Sequence, residues 1–155
     1  MFELFRGLPV HALVIHAAVV LLPLSALCVL LLAAVPSWRS RYGIPVLALS
    51  TAAVLSVPVV HLSGKWLRDQ LRYPPESFQH GLLGDDVIWY ALVFWILTVL
   101  LIVLDRSRGT GGTVVLVVAI LAGVASVAMT VQVVRVGDAG AQSVWKDVVT
   151  TRSGG

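Results

Sequence analysis

Apolar residues occur along this chain in four long runs separated by shorter polar stretches. The runs cover about residues 9–35, 44–62, 80–104 and 113–136. A helix needs about 20 apolar residues to cross a hydrocarbon core of about 30 Å, and each run is close to that length. Because lipid offers the backbone no hydrogen bonds, the pattern predicts four transmembrane helices.

The polar stretches between the runs predict an antiparallel, up-and-down bundle. Two of them, residues 38–42 and 105–112, are short joints that make successive helices neighbours. We name the membrane face with these two joints side B, and the face of the N-terminus side A. The longer joint on side A, residues 63–79, mixes apolar and charged positions, which predicts a short interfacial helix between spans 2 and 3. The tail, residues 137–155, also begins on side A.

The composition supports an all-α membrane protein and excludes other classes. Apolar residues make up 58% of the 155 residues and charged residues 12%, whereas a soluble domain carries about 25% charge. We therefore predict a single integral domain, residues 1–155, that crosses the cell membrane several times in contact with the lipid bilayer. The chain contains no basic stripe and no recognised nucleic-acid motif, so we expect no nucleic-acid partner.

The basic residues are divided unequally between the two sides. Seven of them are spread over the longer segments of side A. The two compact joints of side B hold Arg39, Arg41, Arg106 and Arg108. Because the positive-inside rule weights basic residues in short loops, we expect side B in the cytoplasm and side A outside it.

Polar and titratable residues collect near the side-A ends of all four runs. Such groups usually face the interior of a bundle rather than lipid. This distribution predicts a polar layer with a histidine cluster at one end of an otherwise apolar bundle. The residues are His11, His16, His61, His80, Asp85, Asp86, Gln132, Arg135 and Asp138.

One interpretation of this layer is a haem b site. Histidine is an axial ligand of haem iron, and bundles hold cofactors between facing helices. His16 with His61, or His16 with His80, would supply the two axial ligands. Arg135 or Arg68 would pair with the haem propionates. The protein would then be an electron-transfer subunit with no catalytic residues of its own, and its partners would be a redox protein or other subunits of a membrane complex.

A second interpretation is a non-haem transition-metal site of imidazole and carboxylate ligands. Imidazole suits zinc, copper, iron and nickel, and the carboxylates do not choose between them. His11 and His16 are separated by about 140° around a helix, so one ion would bind both only if the helix bends locally. The candidate ligands are His11, His16, His61, His80, Asp85 and Asp86.

A third interpretation is a non-catalytic structural or assembly subunit. Histidines then sit at the interface with their polar edges in water, and Asp85 or Asp86 pairs with Arg135 or Lys65. A stripe of small residues on the fourth span would hold partners or a second copy: Ala119, Ala122, Gly123, Ser126 and Thr130. The aromatic residues of the third span are expected to face lipid or fill outer grooves: Trp89, Tyr90, Phe94 and Trp95.

Several short motifs resemble a bacterial domain-of-unknown-function family of small four-helix membrane proteins with a His-Pro-x-x-x-His opening. His11 and His16 match its two histidines in spacing, although Ala12 stands in place of the proline. Ser63-Gly64-Lys65-Trp66 is similar to the turn that ends the family's second span. His80 stands where a histidine opens the third span.

The end of the fourth span extends this resemblance over nearly the whole chain. Arg135-Val136-Gly137-Asp138-Ala139-Gly140 is similar to an Arg-x-Gly-His-x-Gly segment of the family, with Asp138 in place of the histidine. The resemblance implies a four-helix membrane fold and, because the family has no assigned activity, little about chemistry. Its architecture is similar to that of cytochrome b-type subunits, which favours haem by analogy only.

Overall fold

The computed structural model describes the backbone of residues 4–5, 8–71, 78–108 and 112–152, and the side chains of 14–66, 84–107 and 112–142. Two strands of two residues, β1 (Leu4–Phe5) and β2 (Leu8–Pro9), pair antiparallel before the first helix. Four helices then follow: α1 (Val10–Ala34), α2 (Arg39–Leu71), α3 (Phe78–Arg108) and α4 (Thr113–Arg152).

The four helices form a closed ring. Each helix packs against its neighbours in the chain, and α4 packs back against α1. All four are long and apolar enough to cross a membrane. The predicted four-helix membrane fold is therefore confirmed.

The turn between α1 and α2 follows from a proline. Val35 precedes Pro36, and a residue before proline is disfavoured in helical conformation. Val35 accordingly has φ −120° and ψ 86°, and a 3₁₀ turn over Pro36–Trp38 leads directly into α2. This short turn places Arg39 beside the end of α1.

The core is built from small residues and a few large ones. Backbones approach closely where alanine, serine and glycine line the helix contacts, which is how helices pack in lipid. Among the described residues, every buried side-chain nitrogen or oxygen has a hydrogen-bond partner. Buried alanines are contributed by every helix: Ala18, Ala26, Ala53, Ala91, Ala119 and Ala122.

α2 and α4 continue on side A past residues 62 and 136, where the predicted spans end; those span ends stay predictions, because a helical backbone can continue outside lipid. Two other expectations from the sequence need correction. The residues up to Leu71 belong to α2 and form no separate interfacial helix; residues 72–77 lie outside the described part. Phe94 is fully buried rather than lipid-facing, whereas Trp89 is 67% exposed.

Candidate functional site

The side-A ends of α2 and α3 are joined by a histidine–aspartate pair. His61 Nδ1 lies 3.1 Å from Asp85 Oδ1. The two side chains are 32% and 52% exposed, so the other helices do not enclose the pair. Both residues were candidates from the sequence. The third interpretation paired Asp85 or Asp86 with Arg135 or Lys65, whereas in the structure Asp85 contacts His61.

Two other predicted ligands lie at exposed positions. His16 is exposed on α1, and Asp86 is exposed on α3. The side chains of His11 and His80 lie outside the described residues. Among the side chains that the structure describes, no three histidine, cysteine or acidic residues come together as a metal-binding group. The contact between His61 and Asp85 is therefore the starting point for a candidate site at this end of the bundle.

At the side-A end of α4, one of the three residues predicted to belong to the polar layer is buried and the other two are exposed. Gln132 is 4% exposed and faces the bundle interior, one turn from the fully buried Met129. Arg135 and Asp138 are both exposed, and Asp138 accepts a hydrogen bond of 2.9 Å from Gln142 of the same helix. The inward orientation expected for this end of the helix holds for Gln132 but not for the two charged residues.

A second ionic pair, at the side-B end, was not anticipated as a site. Arg39 Nη1 lies 3.4 Å from Asp105 Oδ1, and the side chains are only 2% and 5% exposed. Arg39 Nε donates to the carbonyl of Leu32 at 2.8 Å, and Nη2 donates to that of Ala33 at 2.9 Å. The last carbonyls of a helix lack partners within it, so this arginine caps α1 while it binds α3.

Two other arginines on side B remain at the surface. The Arg41 guanidinium carbon lies 5.5 Å from the centre of the Tyr42 ring, which in turn meets the Trp38 ring edge-on at 6.0 Å. A Cβ at Gly43 would lie 3.5 Å from Arg106 Nη1. The Arg106 head therefore lies close to the backbone of α2 at this glycine.

Comparison with known proteins agrees with the fold. A family model described as "Predicted membrane protein (DUF2231)" matches residues 7–153. The chain belongs to this family. No curated protein and no solved structure matches the chain. The resemblance to a domain-of-unknown-function membrane family is confirmed, while the His-Pro signature and the cytochrome b-like analogy stay predictions.

Proposed function

We propose that this family member is a membrane subunit in which His61 is a ligand of a transition-metal centre, with haem iron as the first candidate. The observation that carries the proposal is the 3.1 Å contact between His61 Nδ1 and Asp85 Oδ1. Histidines that bind metals usually donate their other ring N–H to a carboxylate or a carbonyl. Asp85 would hold the tautomer in which His61 Nε2 is the metal-binding nitrogen.

The donors fit haem better than a closed metal site. A structural zinc site needs four protein ligands, whereas haem iron takes one or two axial side chains. The described residues supply an oriented imidazole at His61 and no group of three or more histidine, cysteine or acidic residues. His16 and His80 remain the candidates for a second axial ligand, and Arg135 for the propionates. Bound haem would supply one-electron transfer between partners in the membrane.

The test is pigment and metal analysis of protein purified from membranes of cells supplied with haem precursor and metals. We expect a Soret band that His61→Ala removes. Asp85→Asn should weaken cofactor affinity by roughly 10- to 100-fold, the usual effect of losing such a carboxylate. Asp138→Asn is the matched control, because it removes an exposed acid from α4 and should leave the band unchanged.

The variant Asp86→Asn distinguishes a haem centre from a non-haem metal centre. Asp86 is a candidate ligand only for the non-haem metal, so its loss should not affect a haem spectrum. A colourless wild-type protein whose bound metal depends on Asp86 and His61 together would replace haem with the non-haem site. A colourless protein without metal would overturn the proposal.

For membrane orientation, the charge distribution supports side B in the cytoplasm. The side-B joints hold four of the 11 basic residues and one of the eight acidic residues, so the net charge of +3 resides there. In a Cys28→Ser background, Gln142→Cys should react with an impermeant maleimide on intact cells. Ser37→Cys should react only after permeabilisation. The reverse labelling would contradict this orientation.

A structural or assembly subunit is the second candidate, and a groove between α1 and α4 favours it. The groove has a volume of about 600 Å³. Its lining includes the small residues Ala33, Ala119 and Gly123, which would let another helix approach closely. We take a second copy as its occupant, because two-fold homodimers are the commonest oligomers. In a Cys28→Ser background, Val127→Cys on the groove should cross-link copies, whereas Val103→Cys on α3 should not. A monomer in both would contradict this candidate.

A further inference from the structure

Because Asp105 pairs with Arg39, the side-B joints are left with an excess of positive charge. Asp105 is the only acidic residue in the side-B joints, and its carboxylate contacts the buried Arg39. Arg41 and Arg106 are exposed. Among the described residues, neither has an ion pair. Exposed cations without carboxylates at a membrane face attract anions from the surrounding surface.

Contacts with α2 hold these two arginines near the membrane face. Arg41 contacts the face of Tyr42, and the Trp38 and Tyr42 rings, 44% and 42% exposed, meet at an angle of 72°. Tryptophan and tyrosine are typical of the headgroup level of a bilayer. Arg106, on α3, approaches α2 at Gly43, where a Cβ would stand in ordinary van der Waals contact with its guanidinium.

From this arrangement we infer that side B binds the headgroups of anionic phospholipids through Arg41 and Arg106. A guanidinium binds phosphate oxygens through two parallel hydrogen bonds, which suits a phosphodiester. Phosphatidylcholine carries the same phosphate beside its own cation, whereas phosphatidylglycerol is net negative. The surface should therefore prefer phosphatidylglycerol. This inference does not rest on the proposed metal centre, and the two can fail separately.

The test is lipid titration of the detergent-solubilised full chain, followed by native mass spectrometry. We expect phosphatidylglycerol to bind more tightly than phosphatidylcholine, with affinity falling as ionic strength rises. Each arginine near an anionic surface strengthens binding roughly fivefold, so Arg41→Gln with Arg106→Gln should weaken phosphatidylglycerol binding roughly 25-fold. Binding of phosphatidylcholine should hardly change.

The matched control removes two positive charges from side A, with Lys65→Gln and Lys146→Gln, neither of which belongs to the proposed metal centre. It should retain the preference for phosphatidylglycerol. If the side-B double variant does not fold, Arg41→Lys with Arg106→Lys keeps both charges and should give an intermediate affinity, because lysine lacks the paired donors. Equal binding of the two lipids by the wild type, or equal losses in the side-A and side-B variants, would overturn the inference.

Discussion

The same two helices, α2 and α3, carry an ionic pair near each end, and the two pairs differ in burial. At side B the pair of Arg39 and Asp105 is almost fully buried, and the arginine also caps α1. At side A the pair of His61 and Asp85 is about one-third to one-half exposed. Burial therefore separates a contact that holds three helices together from one that remains accessible for chemistry.

The two pairs should differ in how much stability the bundle loses when one member is substituted. Removing one member of a buried pair leaves an uncompensated charge away from water, which is strongly destabilising. An exposed pair contributes little to stability because water and salt screen it. We expect side B to determine whether the bundle folds, and side A to tolerate substitutions that test function.

The largest effect should follow from Asp105→Ala. The Arg39 charge would then be buried without its counter-ion, and we expect the free energy of unfolding to fall by about 3–5 kcal/mol. Equilibrium unfolding of the detergent-solubilised protein, followed by loss of helical circular dichroism, measures this. A loss no larger than that of Asp85→Ala would contradict the contrast between the two ends.

A double variant should recover part of this loss. Arg39→Met with Asp105→Leu removes both charges, and apolar replacement of a buried pair is often neutral. The carbonyls of Leu32 and Ala33 would still lose their charged donor, so we expect a net loss of about 1–3 kcal/mol. The same unfolding measurement applies. Stability equal to that of the wild type would show that the cap on α1 is unimportant.

A smaller effect is expected in the middle of the bundle. Trp95 Nε1 donates to Thr51 Oγ1 at 2.9 Å and joins α2 to α3 between the two ionic pairs. Trp95→Phe should lower the free energy of unfolding by about 0.5–1.5 kcal/mol through this lost hydrogen bond. Trp89→Phe is the control, because Trp89 is 67% exposed on the same helix. Equal losses in the two variants would mean that this bond does not stabilise the bundle.

The smallest effect should belong to the side-A pair. Asp85→Asn should change the free energy of unfolding by less than about 1 kcal/mol, because its partner is also partly exposed. The unfolding curve checks this, and raised salt should reduce the difference further. A loss of several kcal/mol would show that this pair is a structural contact, and it would weaken the argument for a ligand role.

Helix number and packing faces could be read from the sequence because both depend on local composition. Apolar runs of membrane length mark the four helices, and the stripe of small residues on α4 marks a packing face, which at Ala119, Ala122 and Ser126 is buried within the chain itself. The aromatic residues of α3 show the limit of this reasoning. In a span that is apolar all round, hydropathy does not distinguish the buried Phe94 from the exposed Trp89.

Pairings between distant residues depend on helix register, which the pattern does not supply. Arg39 and Asp105 are 66 positions apart and were assigned only to loops. Two features of the sequence fit their role but were not used: the unpartnered carbonyls at the end of α1, and the presence of one acid among four arginines on side B. His61 and Asp85 were both named as candidates, but only packing of α2 against α3 shows that they meet.

The length of α4 has a consequence for the compartment on side A. Forty residues of continuous helix extend about 60 Å, roughly twice the thickness of the hydrocarbon core. We therefore expect the C-terminal part of α4, beyond the predicted span end at residue 136, to extend past the hydrocarbon core as a continuous helix. A donor dye attached near Arg152 and an acceptor near Ser37 would be separated by most of that length. Energy transfer between them would therefore measure how far α4 extends from side B.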